Sequence, residues 1–241
     1  MDKYSNIAEV YDYMLIRNPE REAFFEKILK RNQARTLLDC ACGTGKDLVL
    51  FASLGLEVAG SDISESMLNV ARKRIAENGL QVPLYQVDFH TLDNTLDQKF
   101  DAIVALSNAV NEIEVDIVKA LASMRDRLTD HGIIIFDQGQ SDASMRNPPQ
   151  YSVEVNNRDF SRLFSMDYRD DIMTVHIFDL IHTHESNDFK HNEFKIKIRL
   201  YDDWLKILDQ ADLKGDFYGD WSFRPYDKDS CQRLIVVARK K

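Results

Sequence analysis

Apolar positions along the chain follow two different rhythms, and the change comes near residue 140. Between residues 35 and 140, short apolar runs alternate with amphipathic stretches. The runs at 35–40, 56–61, 82–87, 100–106 and 133–137 have strand length. The run at 100–106 is apolar apart from Asp101, as expected for a strand buried on both faces. Helical spacing occupies 46–54, 65–78 and 113–128. Ser64 is placed to cap the second of these helices and Asn78-Gly79 to stop it. Upstream, residues 7–31 read as helix with a break near Asn18-Pro19, and Phe24, Phe25, Ile28 and Leu29 share one face. After residue 140 comes a polar stretch, 141–150, holding Pro148-Pro149. Residues 151–200 then alternate and are rich in Val, Ile, Phe, His and Thr, which predicts antiparallel hairpins. A helix at 202–211 and strands near 214–218 and 231–239 close the chain. The β-α-β-α rhythm predicts an α/β fold with a doubly wound, mostly parallel sheet and helices on both faces. The alternating segment is then an antiparallel β insertion after strand five.

Composition narrows the setting. A chain of 241 residues, 44% of them hydrophobic, suits one large α/β domain with a sizeable core. No apolar run reaches the roughly 18 residues of a membrane span. Met1-Asp2-Lys3-Tyr4 lacks a basic-then-apolar leader pattern. The three cysteines, Cys40, Cys42 and Cys231, read as reduced thiols, so a cytoplasmic location is expected. The net charge of −9 would repel nucleic acid. Lys195, Lys197 and Arg199 alternate with Phe194, Ile196 and Ile198. That is the outer face of a half-buried strand and not a nucleic-acid stripe. His176, His182 and His184 lie close in sequence, but no acid or cysteine accompanies them at ligand spacing, so no metal is expected.

The candidate chemistry lies in Leu37-Leu38-Asp39-Cys40-Ala41-Cys42-Gly43-Thr44-Gly45, where the first strand hands over to a helix. Ligands of open α/β sheets bind outside the carboxyl ends of the strands. A phosphate loop fails here, because Cys40 holds the first glycine position and Asp47 follows Lys46. A dinucleotide fingerprint fails as well, because Leu48 stands where the third glycine belongs. An acid at Asp39 suits a cationic, phosphate-free ligand such as the amino acid and sulfonium of S-adenosylmethionine. Asp62, ending the second strand, could accept hydrogen bonds from a ribose.

These residues resemble the class I methyltransferases. Asp39 to Gly45 is similar to their first motif and Val87-Asp88-Phe89 to the third. Phe100-Asp101-Ala102-Ile103-Val104 resembles the fourth-strand motif, and His131-Gly132-Ile133-Ile134-Ile135 the turn into strand five. The resemblance runs over roughly residues 4–140 and implies a Rossmann-like seven-stranded sheet. It also implies S-adenosyl-L-methionine as cofactor and S-adenosyl-L-homocysteine as product. Arg17, Asp39, Ala41, Gly43, Gly45, Asp62, Ile63, Asp88, Phe89 and Leu106 would surround the cofactor, with Asp62 on the ribose and Asp88 on the adenine amino group. On that basis the single domain divides into a helical lid (1–34), a cofactor core (35–140), the insertion (141–200) and closing elements (201–241).

A narrower resemblance is to the glycine N-methyltransferase group and its small-molecule relatives. It rests on Leu106-Ser107-Asn108-Ala109, on Gly219-Asp220 with Arg224-Pro225-Tyr226, and on the place of Arg17. The chain departs from that group at Asp137-Gln138-Gly139-Gln140-Ser141-Asp142. Gly139 stands where the group has a carboxylate-clamping arginine, and Ser141 where it has a tyrosine, which argues against glycine as acceptor. The resemblance therefore implies methyl transfer to another small molecule, at an amine nitrogen (on a sugar, for example) or a hydroxyl. A cofactor-binding module without turnover and a nicotinamide-dependent oxidoreductase are the other readings. Tyr11, Tyr13, Asn108, Gln138, Tyr201 and Tyr226 are the candidates for the acceptor pocket. The expected partner is a small-molecule acceptor, with neither nucleic acid nor membrane. The insertion would shape the acceptor pocket or serve a homodimer contact.

Overall fold

The computed structural model describes residues 2–14, 17–112, 114–182 and 187–241, with only the backbone of Met14. After a 3₁₀ segment at Ala8–Met14 come α1 (Pro19–Arg31), β1 (Thr36–Asp39), α2 (Lys46–Ser53), β2 (Glu57–Asp62) and α3 (Glu65–Glu77). They are followed by β3 (Leu84–Gln86), the single turn α4 (Leu92–Thr95), β4 (Phe100–Ala105), α5 (Ile117–Asp126) and β5 (Leu128–Gln138). Four more strands form the insertion: β6 (Tyr151–Asn156), β7 (Phe160–Arg169), β8 (Ile172–His182) and β9 (Asn187–Lys197). Helix α6 (Tyr201–Gln210) and strands β10 (Leu213–Tyr218) and β11 (Leu234–Lys240) finish the chain.

The main sheet has seven strands in the order β10-β11-β5-β4-β1-β2-β3. Its pairings are parallel except those of β11, which runs antiparallel to both β10 and β5. Helices pack on both faces. One face buries Phe24, Phe25, Phe51 and Leu68; the other buries Leu121, Met124, Trp204 and Leu208. The chain leaves β1 toward β2 on one side and meets β4 on the other, so the strand order reverses between β1 and β4. A crevice opens at such a switch point, outside the carboxyl ends of the strands. The second sheet, β6-β7-β8-β9, is antiparallel throughout. Its inner face carries a separate apolar cluster of Met166, Met173, Val175, Ile177 and Ile196. Among the described residues no helix is long and apolar enough to cross a membrane.

Local chemistry explains the helix starts. Asn18 accepts from Arg21 N at 3.1 Å ahead of Pro19, and Ser64 accepts from Met67 N at 3.1 Å to cap α3. Elsewhere the structure corrects the pattern. Residues 8–14 wind as 3₁₀ and not as α-helix, while Leu15 and Ile16 lie outside the described residues. The helix expected at 113–128 starts at Ile117, with Asp116 as its cap. The preceding segment is drawn away, because Glu112 forms an isolated bridge with Ile196 of the insertion; Ile113 itself lies outside the described residues. Strand β5 starts earlier than the pattern suggests, at Leu128, where a register shift lets it pair with Phe100.

Candidate active site

A cavity of about 580 Å³ lies over the carboxyl ends of β1, β2 and β4. Asp39 ends β1 and is 2% exposed. Its Oδ1 accepts from Ala41 N at 3.3 Å. Asp62 ends β2 and braces the glycine loop: Oδ2 accepts from Gly43 N at 2.8 Å and Oδ1 from Ser64 N at 2.9 Å. Burial pushes the Asp39 carboxyl well above the usual carboxylate range, and the nearby charges of Asp47 and Asp62 push it further. Burial raises Asp62 too. A cation placed between these acids would relieve both effects, so the donor set fits the ammonium and sulfonium of S-adenosylmethionine. Arg21 offsets part of the charge through paired bonds to Asp47 at 2.7 and 2.6 Å. Farther along, Asp88 accepts from His90 N at 2.9 Å, beside Phe89. Ile63 presents an apolar side chain, 60% exposed, at the same wall. Cys40 and Cys42 are free thiols, held well above the ordinary thiol range by burial, so they are poor nucleophiles.

The N-terminal segment spans this cavity. Asp2 accepts from Ser64 Oγ at 2.9 Å and Ser66 Oγ at 2.6 Å. Asp12 accepts from Thr44 Oγ1 at 2.7 Å and pairs with Arg74. On the insertion side, Lys190 Nζ donates to Asn6 O at 3.1 Å and Arg162 to Tyr11 O at 3.2 Å. The Tyr4 ring lies 5.1 Å from that of Phe194. The segment is thus tied to the glycine loop, to α3 and to the insertion.

A second cavity, of about 470 Å³, adjoins the first. Its wall is the inner face of the insertion, including Phe164, Met166, Met173, Val175, Ile177 and Ile196. Its floor comes from the loops after β4 and β5. There Ser107 and Asn108 both take left-handed backbone angles, φ 59° and 66°. Ser107 N donates to Asp137 Oδ1 at 2.8 Å, and Gly139 N donates to Asn108 Oδ1 at 3.0 Å, which locks the two loops together. Tyr4, Tyr11, Ser107 and Glu112 line both cavities. Glu112 accepts from the Tyr4 phenol and from Lys3. Burial, followed by the Glu112 charge, raises the Tyr4 phenol well above its ordinary value and pushes Tyr11 up to about 12. Both phenols therefore keep their protons at neutral pH.

Most of the cofactor candidates converge. Asp39, Ala41, Gly43, Asp62, Ile63, Asp88, Phe89 and Leu106 all line the first cavity. Two do not. Gly45 turns away at φ 75° and packs on Ala71 of α3. Arg17 is 79% exposed and pairs with Glu22 at 2.8 Å. Of the acceptor candidates, Tyr11 and Asn108 line the second cavity and four others do not. Tyr13 packs edge-on against Phe160 at the surface. Gln138 spends its amide in the core: Asn111 Nδ2 and Trp204 Nε1 donate to it at 2.7 and 2.9 Å, and it donates to Gln140 O and Arg199 O. Tyr201 and Tyr226 stack on each other, and the Tyr226 hydroxyl donates to Asp142 at 2.8 Å. Sequence reasoning missed Tyr4, Asp12, Arg21, Ser107 and Glu112. Tyr4, Asp12, Arg21 and Glu112 sit in no motif, and only the fold brings them to the crevice; Ser107 lies in Leu106-Ser107-Asn108-Ala109, beside the candidate Asn108. Among the described residues no three His, Cys, Asp or Glu side chains cluster to hold a metal; His184 lies outside them.

Comparison with known proteins agrees with this geometry. Residues 37–132 match the family model described as a methyltransferase domain. The chain is 25% identical over 212 residues to YqeM of Bacillus subtilis (strain 168), named as a candidate methyltransferase, covering 84% of each protein. It is 33% identical over 121 residues to a glycine/sarcosine N-methyltransferase of Halorhodospira halochloris, covering 49% of this chain and 45% of that one. The chain thus matches about half the length of that relative. A solved S-adenosylmethionine-dependent methyltransferase from Clostridium acetobutylicum ATCC 824 superposes with a TM-score of 0.85 at 20% identity, covering 98% of both chains, and shows the same fold. Residues 37–132 thus form a methyltransferase domain placed on a switch-point crevice lined by Asp39, Asp62 and Asp88, and the chain as a whole is similar to S-adenosylmethionine-dependent methyltransferases.

Proposed function

We propose that the chain methylates an amine nitrogen of a small molecule. The cofactor would occupy the first cavity and the acceptor the second. The observation that carries this reading is the junction: Tyr4, Tyr11, Ser107 and Glu112 line both spaces, so a nitrogen there would face the cofactor. The N-methyltransferase relative supports nitrogen as the acceptor atom. In this reading residues 1–34 close the site, 35–140 hold the cofactor, 141–200 wall the acceptor, and 201–241 complete the sheet.

When bound, S-adenosylmethionine supplies a methyl group activated by its sulfonium. The chain's own residues then bind, orient and exclude water. Asp62 would take the ribose hydroxyls while its backbone partners keep it aimed. Asp88 and Phe89 would bracket the adenine. Asp39 would face the cationic amino-acid end. The Tyr4 and Tyr11 phenols keep their protons and shield the junction. Glu112 is the carboxylate placed to accept an N–H there. Positioning of this kind lowers barriers by roughly 7–11 kcal/mol in well-aligned systems.

The test is calorimetric titration with S-adenosylmethionine and S-adenosylhomocysteine, alongside Asp62→Ala, and then mass detection of methylated amines. Micromolar binding that the variant loses, followed by N-methyl product, is the expected result. Cofactor binding with methylated alcohols and no methylated amine would move the acceptor atom to oxygen. Cofactor binding without any product would make the chain a binding module.

A further inference from the structure

We propose that the acceptor is an apolar amine carrying no anionic group, and that Glu112 holds its nitrogen. This rests on the reading above, in which the second cavity receives the acceptor. Phe164, Met173, Val175, Ile177 and Ile196 present a continuous apolar surface from three strands of the insertion. A ligand that fills this space must itself offer apolar surface to match it.

Among the described residues lining the cavity there is no lysine, arginine or histidine, and Glu112 is the only charged side chain. A carboxylate or phosphate entering here would lose its water, find no cation, and meet a like charge. Lys3 does not cancel that charge, because it also bonds Glu114 at 2.8 Å. Two carboxylates thus share one ammonium, and the junction keeps a net negative charge. Glu112 is also not saturated. Its oxygens accept from Tyr4 and Lys3, whereas a carboxylate can accept about four hydrogen bonds. The remaining sites suit the N–H of an amine. Their position at the junction faces that nitrogen toward the cofactor cavity.

Gly139 provides a way to invert the preference. It lines the cavity, and a Cβ added there would meet nothing within 4 Å. An arginine at this position would introduce the missing cation.

The experiment is calorimetry on the full chain loaded with S-adenosylhomocysteine. The probes are matched pairs: phenethylamine with phenylalanine, and tryptamine with tryptophan. In the wild-type protein at least one amine should bind at least tenfold more tightly than its amino-acid partner. Glu112→Gln should weaken that amine at least tenfold, and Gly139→Arg should shift the ratio toward the amino acid at least tenfold. Amino acids binding as tightly as the amines would overturn the inference. So would S-adenosylhomocysteine binding with no amine bound, and the cofactor assignment would then stand alone. If S-adenosylhomocysteine itself does not bind, the underlying reading fails and takes this inference with it.

Discussion

The glycine loop allows fold and cofactor binding to be separated by one methyl group at a time. Gly45→Ala and Gly43→Ala place the same group two residues apart, at φ 75° and 49° respectively. Each pays the left-handed penalty of an L-residue, roughly 1–2 kcal/mol. At Gly45 the new Cβ would also stand 3.0 Å from Ala71 Cβ and 3.2 Å from Ala71 Cα. The second of these is backbone of α3 and cannot rotate aside, so an overpacking cost of roughly 1–3 kcal/mol is added. The expected loss is therefore about 2–5 kcal/mol for Gly45→Ala and about 1–2 kcal/mol for Gly43→Ala. At roughly 2–4 °C per kcal/mol for a chain of this size, the two melting temperatures should differ by several degrees. Gly43 instead lines the cofactor cavity, and its added Cβ meets nothing within 4 Å. That methyl should obstruct the cofactor and weaken S-adenosylhomocysteine binding by about tenfold or more, which is about 1.4 kcal/mol. Urea denaturation reads the first effect and calorimetry the second. Equal stability losses would refute the contact with α3. Unchanged affinity in Gly43→Ala would refute the placement of the cofactor.

Other perturbations probe the supports of the site. Arg162 and Asp179 form a fully buried pair, with bonds of 2.6 Å from Nε and Nη2. Arg162→Met should cost roughly 3–5 kcal/mol by stranding the carboxylate, and adding Asp179→Leu should recover most of it, as read by urea denaturation. Asp39 and Asp62 have raised carboxyl pKa values in the cofactor-free fold, so they are destabilising once ionised. Their stability contribution is full below the ordinary carboxylate range and is lost as pH rises through the raised values. Asp39→Asn should accordingly raise the melting temperature of the cofactor-free protein at neutral pH while weakening cofactor binding; a lower melting temperature would contradict the sign. Binding of the cationic cofactor should release protons at mildly acidic pH, which calorimetry in buffers of different ionisation heat will show. Removing residues 1–16 should weaken both cofactor binding and turnover, because Asp2 and Asp12 tie that segment to Ser64, Ser66 and Thr44.

What could be read from the sequence was whatever the chain encodes locally. Strands β1, β2, β4 and β5 announce themselves as apolar runs because an interior strand of such a sheet is buried on both faces, and Asp39, Asp62 and Asp88 stand at or just beyond the carboxyl ends of β1, β2 and β3 at fixed places in motifs. The insertion was legible because alternation marks a sheet with one buried face. The second cavity was legible only in Tyr11 and Asn108, and the reason is geometric. Gln138 looked like a pocket residue from its position after β5, yet alternation along that strand turns it into the core against Trp204. Tyr201 and Tyr226 had the right chemistry, but they pair with each other and with Asp142. Arg17 had the right separation from Asp39, but only the backbone path decides whether a charge at that separation reaches the loop, and this one turns outward to Glu22. Glu112 shows the converse. It belongs to no motif and no regular element, and it acquires its place because its backbone bridges Ile196 of the insertion while its side chain meets Lys3 and Tyr4. Three segments distant in sequence, the N-terminal stretch, the loop of Glu112 itself and the insertion, thus converge on one carboxylate. Motif spacing records where the cofactor is held; in the proposed reading the acceptor is selected at such convergences, and those exist only once the insertion has folded back over the switch point.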